Sequence, residues 1–301
     1  MYKRQNDTRA NANIISILQG YSDPRLERWF ATNNADIYST DDELSPVVEK
    51  ATKYLGVRQG VPMTRTEYQG YSKTSRVGIP EQGPRPVLRV AEAYFLRAEG
   101  MLRNWNMGDG TPESLYNEGI HSAWASVLGD ESGWAGTYES YINGFINTEE
   151  GGDFDWELFE GGFGSAPYIN YRNQEYNYYI EENGKQVGIN RISVRWHDED
   201  SPEKKLQRII TQKWISFFPT LSSVAWTEYR RTGYPKLIPI PSDLNYSNGA
   251  IDTELQIRRL PFTQSEYRGN TEEVNKALGL LKGPDNGGTR LWWDVDKGNF
   301  E

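Results

Sequence analysis

The chain has no cysteine, which excludes disulfides, zinc–thiolate sites and a cysteine nucleophile. Histidine is scarce as well. His121 and His197 are the two present, and neither lies in an HExxH or paired-carboxylate context, so both are read as surface or structural residues. Positive charge does not dominate: across 301 residues the net charge is -9, which argues against a nucleic-acid partner. No run of about 18 apolar residues is present to span a bilayer. Met1-Tyr-Lys-Arg-Gln-Asn-Asp7 has no apolar stretch behind its charges, so no signal peptide is visible. The GxSxG, phosphate-loop and dinucleotide fingerprints are missing too, and the Gly161-Gly-Phe-Gly-Ser165 run neither follows a credible strand nor opens a helix.

What is abundant is aromatic. There are 10 Trp and 19 Tyr in a chain of mean hydropathy -0.75. Such rings either fill core and loop space or stay exposed to stack on flat apolar faces, those of sugars among them. The length allows one large domain or two small ones, with a real core.

The tract Leu206 to Pro235 has the strongest local signals. Leu206, Ile210, Trp214 and Phe217 step along one helix face. Ser201 is a favoured N-cap, Pro202 suits the first turn and Glu203 meets the positive helix end. Pro219 stops the helix, because it lacks an N–H and its ring clashes with the preceding turn. A second helix is expected from about Ser223 to Arg231, with Gly233 as a left-handed cap and Pro235 behind it. This helix–break–helix is read as scaffold.

Elsewhere, Asn11 to Gln19 reads as a short helix, and Asp23 before Pro24 as a turn or helix start. Ala31 to Pro86 is rich in turn residues, interrupted by a short helix around Ser45 to Tyr54. Pro86 opens a clear helix with Leu88, Ala91, Phe95, Ala98 and Leu102 on one stripe, whose small residues admit a close neighbour. Thr111-Pro112-Glu113 starts its partner, with Leu115, Gly119, Ala123 and Val127 leading to Gly129. A helix is read near Ala135 to Asn147, while the tyrosine-dense stretch before residue 190 fits strand or loop equally. Leu237 to Leu260 is read as extended, Thr271 as the start of a last helix to about Leu281, and Trp292-Trp293 as pinning the tail onto the helices.

Taken together, Asp23-Pro-Arg-Leu26, the helix Leu88 to Glu99, Ile210-Thr-Gln-Lys-Trp214, Ala225-Trp226 with Arg230-Arg-Thr-Gly-Tyr-Pro235, Arg259-Leu-Pro-Phe262 with Glu266, and Leu291-Trp-Trp-Asp294 resemble the starch-utilisation D-like (SusD/RagB-like) family of outer-membrane nutrient-binding lipoproteins. The pieces fall in family order from residue 23 to 294. The resemblance implies a mainly α fold of tetratricopeptide-like helix pairs, an α-α superhelix with long irregular loops and little β. It implies non-catalytic capture of oligosaccharide or another nutrient at the bacterial cell surface, beside a TonB-dependent outer-membrane transporter. Membrane attachment is through a lipid anchor that these residues do not contain. Residues 1–301 are then one SusD-like domain, the C-terminal part of a longer chain.

Two other classes stay open at this stage: a glycoside-processing enzyme and a helical-repeat adaptor for proteins. Asp153, Asp155 and Glu157 sit close together, but a glycosidase needs two carboxylates at a fixed separation with one pKa raised. A solvated acidic loop is the better reading, and the calcium-loop pattern is incomplete. Arg230-Arg231 offers an anion clamp; cations at a helix C-terminus bonded to Glu228 account for the pair more simply. Gln212-Lys213-Trp214 is read as packing. The candidate ligand contacts are aromatics in irregular stretches, where a ring can stack on a sugar while nearby polar groups take its hydroxyls: Tyr38, Tyr68, Tyr71, Trp134, Tyr138 and Trp156. No cofactor or metal is expected.

Overall fold

The computed structural model describes residues 8–21, 23–32, 54, 56, 57, 59, 60, 68, 71–74, 86–128, 179–182, 185–188, 192–240, 244–295 and 297–301. Among them run the helices α1 (Ala12–Gly20), α2 (Arg25–Trp29), α3 (Val90–Leu102), α4 (Pro112–Leu128), α5 (Pro202–Phe217), α6 (Ser222–Thr232), α7 (Gln264–Gly269) and α8 (Thr271–Leu280). One antiparallel ribbon, β1 (Tyr179–Glu182) on β2 (Lys185–Gly188), sets Ile180 opposite Val187. The fold is mainly α.

The layers are helix hairpins. Helix α3 packs along α4, and both rest on α5. Phe95, fully buried, lies where α4 carries Gly119: a Cβ there would stand 2.7 Å from the Phe95 ring. A small residue at the crossing is what lets the two backbones approach. Thr111 starts α4 through a reciprocal pair, its hydroxyl accepting the Ser114 N–H at 3.1 Å while the Ser114 hydroxyl accepts the Thr111 N–H at 2.8 Å. Tyr116 of α4 donates its hydroxyl to the Val194 carbonyl at 2.6 Å, drawing residues 192–196 against the hairpin.

Helix α5 begins and ends as its residues dictate. The Ser201 hydroxyl accepts the Lys204 N–H at 3.3 Å, Pro202 takes the first turn, and the helix ends before the cis Phe218–Pro219 bond. Helix α6 closes on Gly233, whose φ of 76° is the left-handed cap position. On the other side, α1 is tied down by its preceding strand-like residues. Ala10 N–H reaches Ser72 O at 2.8 Å, Ala12 N–H reaches Val57 O at 2.8 Å, and Asn13 Oδ1 accepts the Ile238 N–H at 2.7 Å.

Ion pairs inside this frame coincide with the residues that carry the family resemblance. Asp23 and Arg25 form a pair at 2.5 Å with neither side chain exposed, the guanidinium lying between the rings of Trp29 and Trp124. Buried Lys213 of α5 meets Glu228 of α6 at 3.1 Å. Asp285 holds Arg259 and also accepts the Phe262 N–H and the Tyr267 hydroxyl. Isolated buried charges are costly, so each of these carries its partner with it.

Several expectations need correcting. Helix α3 starts at Val90, not at Pro86: Arg89 is extended, its guanidinium reaching the Phe218 carbonyl and the Thr220 hydroxyl, and Val87 and Leu88 stand exposed. Leu88 therefore leaves the buried stripe. Trp292 and Trp293 do not pin the tail, being 83% and 59% exposed. Polar anchors do that work instead. Asp294 pairs with Arg258, the Asn299 amide donates to Glu203 and to the Thr232 carbonyl, and the Arg103 guanidinium lies over the Phe300 ring. The six-residue α7 is an addition, and the helices read at 45–54 and 135–147 lie outside the described residues.

Candidate functional site

The break between α5 and α6 opens a cleft of about 470 Å³ whose other walls come from the start of α1 and from residues 237–257. The size falls within the range of about 300–1,000 Å³ usual for small-ligand sites. Three rings define it. Trp226 and Tyr229, one turn apart on α6, stack at 5.6 Å with 22° between their planes. The Tyr229 hydroxyl donates to the Glu254 carbonyl at 2.5 Å and is buried, so it fixes the platform on which half-buried Trp226 lies. Trp214, half-buried on α5, forms part of the wall.

Between the rings the polar groups are amides. Asn11, Asn13, Gln59 and Gln256 all reach the lining. Asn11 and Asn13 already use their side-chain oxygens, for the Asn13 and Ile238 N–H groups respectively. Gln256 is different. Its φ is +55°, a conformation that costs a side-chain-bearing residue energy, and it is only 8% exposed. Its backbone N–H reaches Asp252 O at 3.0 Å, while Asp252 Oδ1 accepts the N–H groups of Glu254 and Leu255. That turn holds the amide at the cleft, and among the described residues its side chain has no hydrogen-bond partner.

Among the described residues, no Asp, Glu, Lys, Arg or His lines the cleft. Nothing in that lining supplies a proton donor, a general base or a nucleophile of the usual kinds. Rings and amides are suited to holding a ligand by stacking and neutral hydrogen bonds. No group of three or more His, Cys, Asp or Glu that would hold a metal occurs among the described residues.

Of the aromatics singled out from sequence, Tyr38, Trp134, Tyr138 and Trp156 lie outside the described residues, as do Asp153, Asp155 and Glu157. Tyr68 and Tyr71 are both half-buried. The Arg9 guanidinium lies 5.2 Å from the Tyr68 ring centre and donates to the Tyr68 carbonyl at 2.9 Å. Burial pushes the Tyr71 phenol up to about 12. Neither residue lines the cleft. His197 faces Glu199 at 3.3 Å, in keeping with a surface role. Gln212 and Lys213 are buried as packing residues, whereas Trp214 reaches the cleft, which the scaffold reading of the tract did not separate. Trp226 and Tyr229 were legible as a pair three apart on one helix face; Gln256 has no sequence signal at all.

Arg230 and Arg231 stay structural. Arg231 grips Glu99 and Glu228, and Arg230 donates to the Arg258 carbonyl. Opposite charges hold Arg231 above its ordinary pKa despite burial.

Comparison with known proteins places this architecture. The family model described as Susd and RagB outer membrane lipoprotein matches residues 1–141 and 163–294. No curated protein matches the chain. Among solved structures, a chitin-binding SusD homolog from Flavobacterium johnsoniae is 36% identical with a TM-score of 0.68, over 97% of this chain and 50% of that one. A SusD homolog from Bacteroides vulgatus is 34% identical with a TM-score of 0.68, over 97% and 50%. One from Bacteroides uniformis is 30% identical with a TM-score of 0.68, over 95% and 49%. The chain thus spans about half the length of these relatives. No helix among the described residues is long and apolar enough to cross a membrane. The family match over most of the chain, with solved relatives at this identity and coverage, makes this protein a member of the SusD-like family.

Proposed function

We propose that the protein captures oligosaccharides at the bacterial outer-membrane surface without processing them, and holds them for a TonB-dependent transporter. The observation that carries this is the cleft between α5, α6 and α1, where Trp214, Trp226 and Tyr229 meet the amides of Asn11, Asn13 and Gln256 without a charged group in the described lining. A pyranose presents an apolar C–H face to such rings and hydroxyls to such amides. Family membership and the chitin-binding relative support the same reading. Tyr38, Tyr68, Tyr71, Trp134, Tyr138 and Trp156 remain proposed ligand contacts beyond the cleft. Attachment to the membrane is by a lipid anchor in this reading.

Isothermal titration against a panel of soluble oligosaccharides tests it, together with a reducing-end assay after long incubation. Heat with at least one glycan and no new reducing ends is the expected result. Release of reducing ends would instead make it a glycoside-processing enzyme. Heat with peptides and with no glycan would make it a protein adaptor.

A further inference from the structure

The proposed function leaves open where sugar is held and of what class, and the cleft speaks to both. Its described lining has no formal charge, although charged residues make up 25% of the chain. A ligand carboxylate, sulfate or ammonium entering it would lose hydration and meet no opposite charge, which is unfavourable by far more than a lost neutral hydrogen bond. A neutral hydroxyl or acetamido group loses much less and is matched by an amide.

Gln256 provides the second observation. Left-handed backbone at a residue other than glycine is uncommon and costs energy, and such positions collect where a site must aim a group. Here the turn closed by Asp252 brings an amide, more than nine-tenths buried and without a side-chain partner among the described residues, to the same cleft as the Trp226–Tyr229 stack. An amide offers both a donor and an acceptor, the pair of functions a vicinal diol or an acetamido group presents in return.

We propose that the cleft between α5 and α6 is a binding site for uncharged pyranosides, with Trp226 on Tyr229 as the stacking platform, Trp214 as the facing wall and Gln256 as the polar contact that reads hydroxyl or acetamido groups. This rests on the glycan-binding reading and adds to it a location and a ligand class.

The test is titration calorimetry of the intact chain with three neutral hexaoses (chitohexaose, cellohexaose, maltohexaose) and two charged ones (fully deacetylated chitosan hexamer, hexagalacturonate). Two variants follow: Trp226→Ala removes the exposed ring, and Gln256→Gly removes the amide while accepting the left-handed backbone. Thermal melts accompany both, to separate binding from folding. The expected result is binding of at least one neutral hexaose, none of its charged counterparts, and a loss of about tenfold or more in each variant, the equivalent of roughly one good contact. Neutral binding that survives in both folded variants would overturn the site and leave the glycan-binding reading standing. Equal binding of a charged hexamer would overturn the ligand class. Absence of heat with every sugar would overturn both this inference and the reading beneath it.

Discussion

Glu99 on α3 and Arg231 near the end of α6 meet side-on, with oxygen–nitrogen distances of 2.6 and 2.7 Å, across 132 residues of sequence. Arg103 donates to the same carboxylate at 3.0 Å, and Glu228 takes the free side of Arg231 at 2.7 Å. One carboxylate thereby joins the α3–α4 hairpin to the α5–α6 pair. Burial by itself raises the pKa of Glu99, but the hydrogen bonds and charges of Arg231 and Arg103 outweigh it and hold the carboxyl below its ordinary value of 4.5. A folded-state pKa below the unfolded one gives stability that is present in full above the unfolded value and disappears as pH falls through the folded one. Asp200 and Asp294, paired with Arg208 and Arg258, have the same sign. Stability should therefore fall as pH drops below about 4.5, and Glu99→Gln should both flatten that acid limb and cost about 2 kcal/mol at neutral pH, as for hydrogen bonds to charged groups. Denaturant melts of the two proteins from pH 7 to 3 check this; parallel curves would refute the assignment.

Removing Arg25 should be far more damaging. Its guanidinium takes both Asp23 oxygens, at 2.9 and 2.5 Å, with water excluded from the pair. Arg25→Leu strands a carboxylate in the core and should cost about 3–5 kcal/mol. Arg25→Lys should recover little, because an ammonium cannot reproduce the planar two-point contact. Circular dichroism melts would show it, and a lysine variant as stable as the parent would contradict the geometric account.

The crossing of α3 and α4 makes a prediction about a single carbon. Gly119→Ala would place a Cβ 2.7–2.9 Å from three Phe95 ring atoms, and such overpacking typically costs about 1–3 kcal/mol. Shrinking the partner should relieve it, so Gly119→Ala with Phe95→Leu should be more stable than the sum of the two single changes. Strict additivity in a double-mutant cycle would show that the two sites do not touch.

Within one helix, adjacent aromatics should separate by function. Phe217 is 1% exposed and Trp214 half-buried at the cleft. Phe217→Ala should cost about 3–5 kcal/mol, the usual figure for a buried aromatic, and Trp214→Ala clearly less. The tryptophan variant should remain folded yet bind glycan more weakly. Equal melting losses for the two would return Trp214 to the scaffold.

How much of this was legible beforehand depends on the range of the forces involved. Ser201, Pro202, Pro219 and Gly233 act on the backbone within a turn of themselves, and each boundary they indicate is where the helices α5 and α6 begin or end. Thr111-Pro112 did the same for α4. The start of α3 was misplaced because Arg89 is held extended by Phe218 and Thr220, contacts about 130 residues away that no local pattern encodes. Trp292 and Trp293 were misjudged for a related reason: a ring is apolar enough for burial, but the tail is held by Asp294 and Asn299. The cleft itself gathers residues from Asn11 to Ile257, and the strain at Gln256 is invisible in a glutamine codon. A family resemblance names the architecture without saying which side chains converge.

The absence of charge in the cleft also sets the pace of capture. Long-range steering, which speeds association of charged partners and fades with ionic strength, has nothing to act on when both lining and ligand are neutral. Association then proceeds at the unsteered rate, about 10⁵–10⁶ M⁻¹s⁻¹ on the scale set by protein complexes, and neither it nor the affinity should change between dilute buffer and a salt concentration like that of seawater. A surface protein with such a site would forage equally well in fresh, intestinal and marine water.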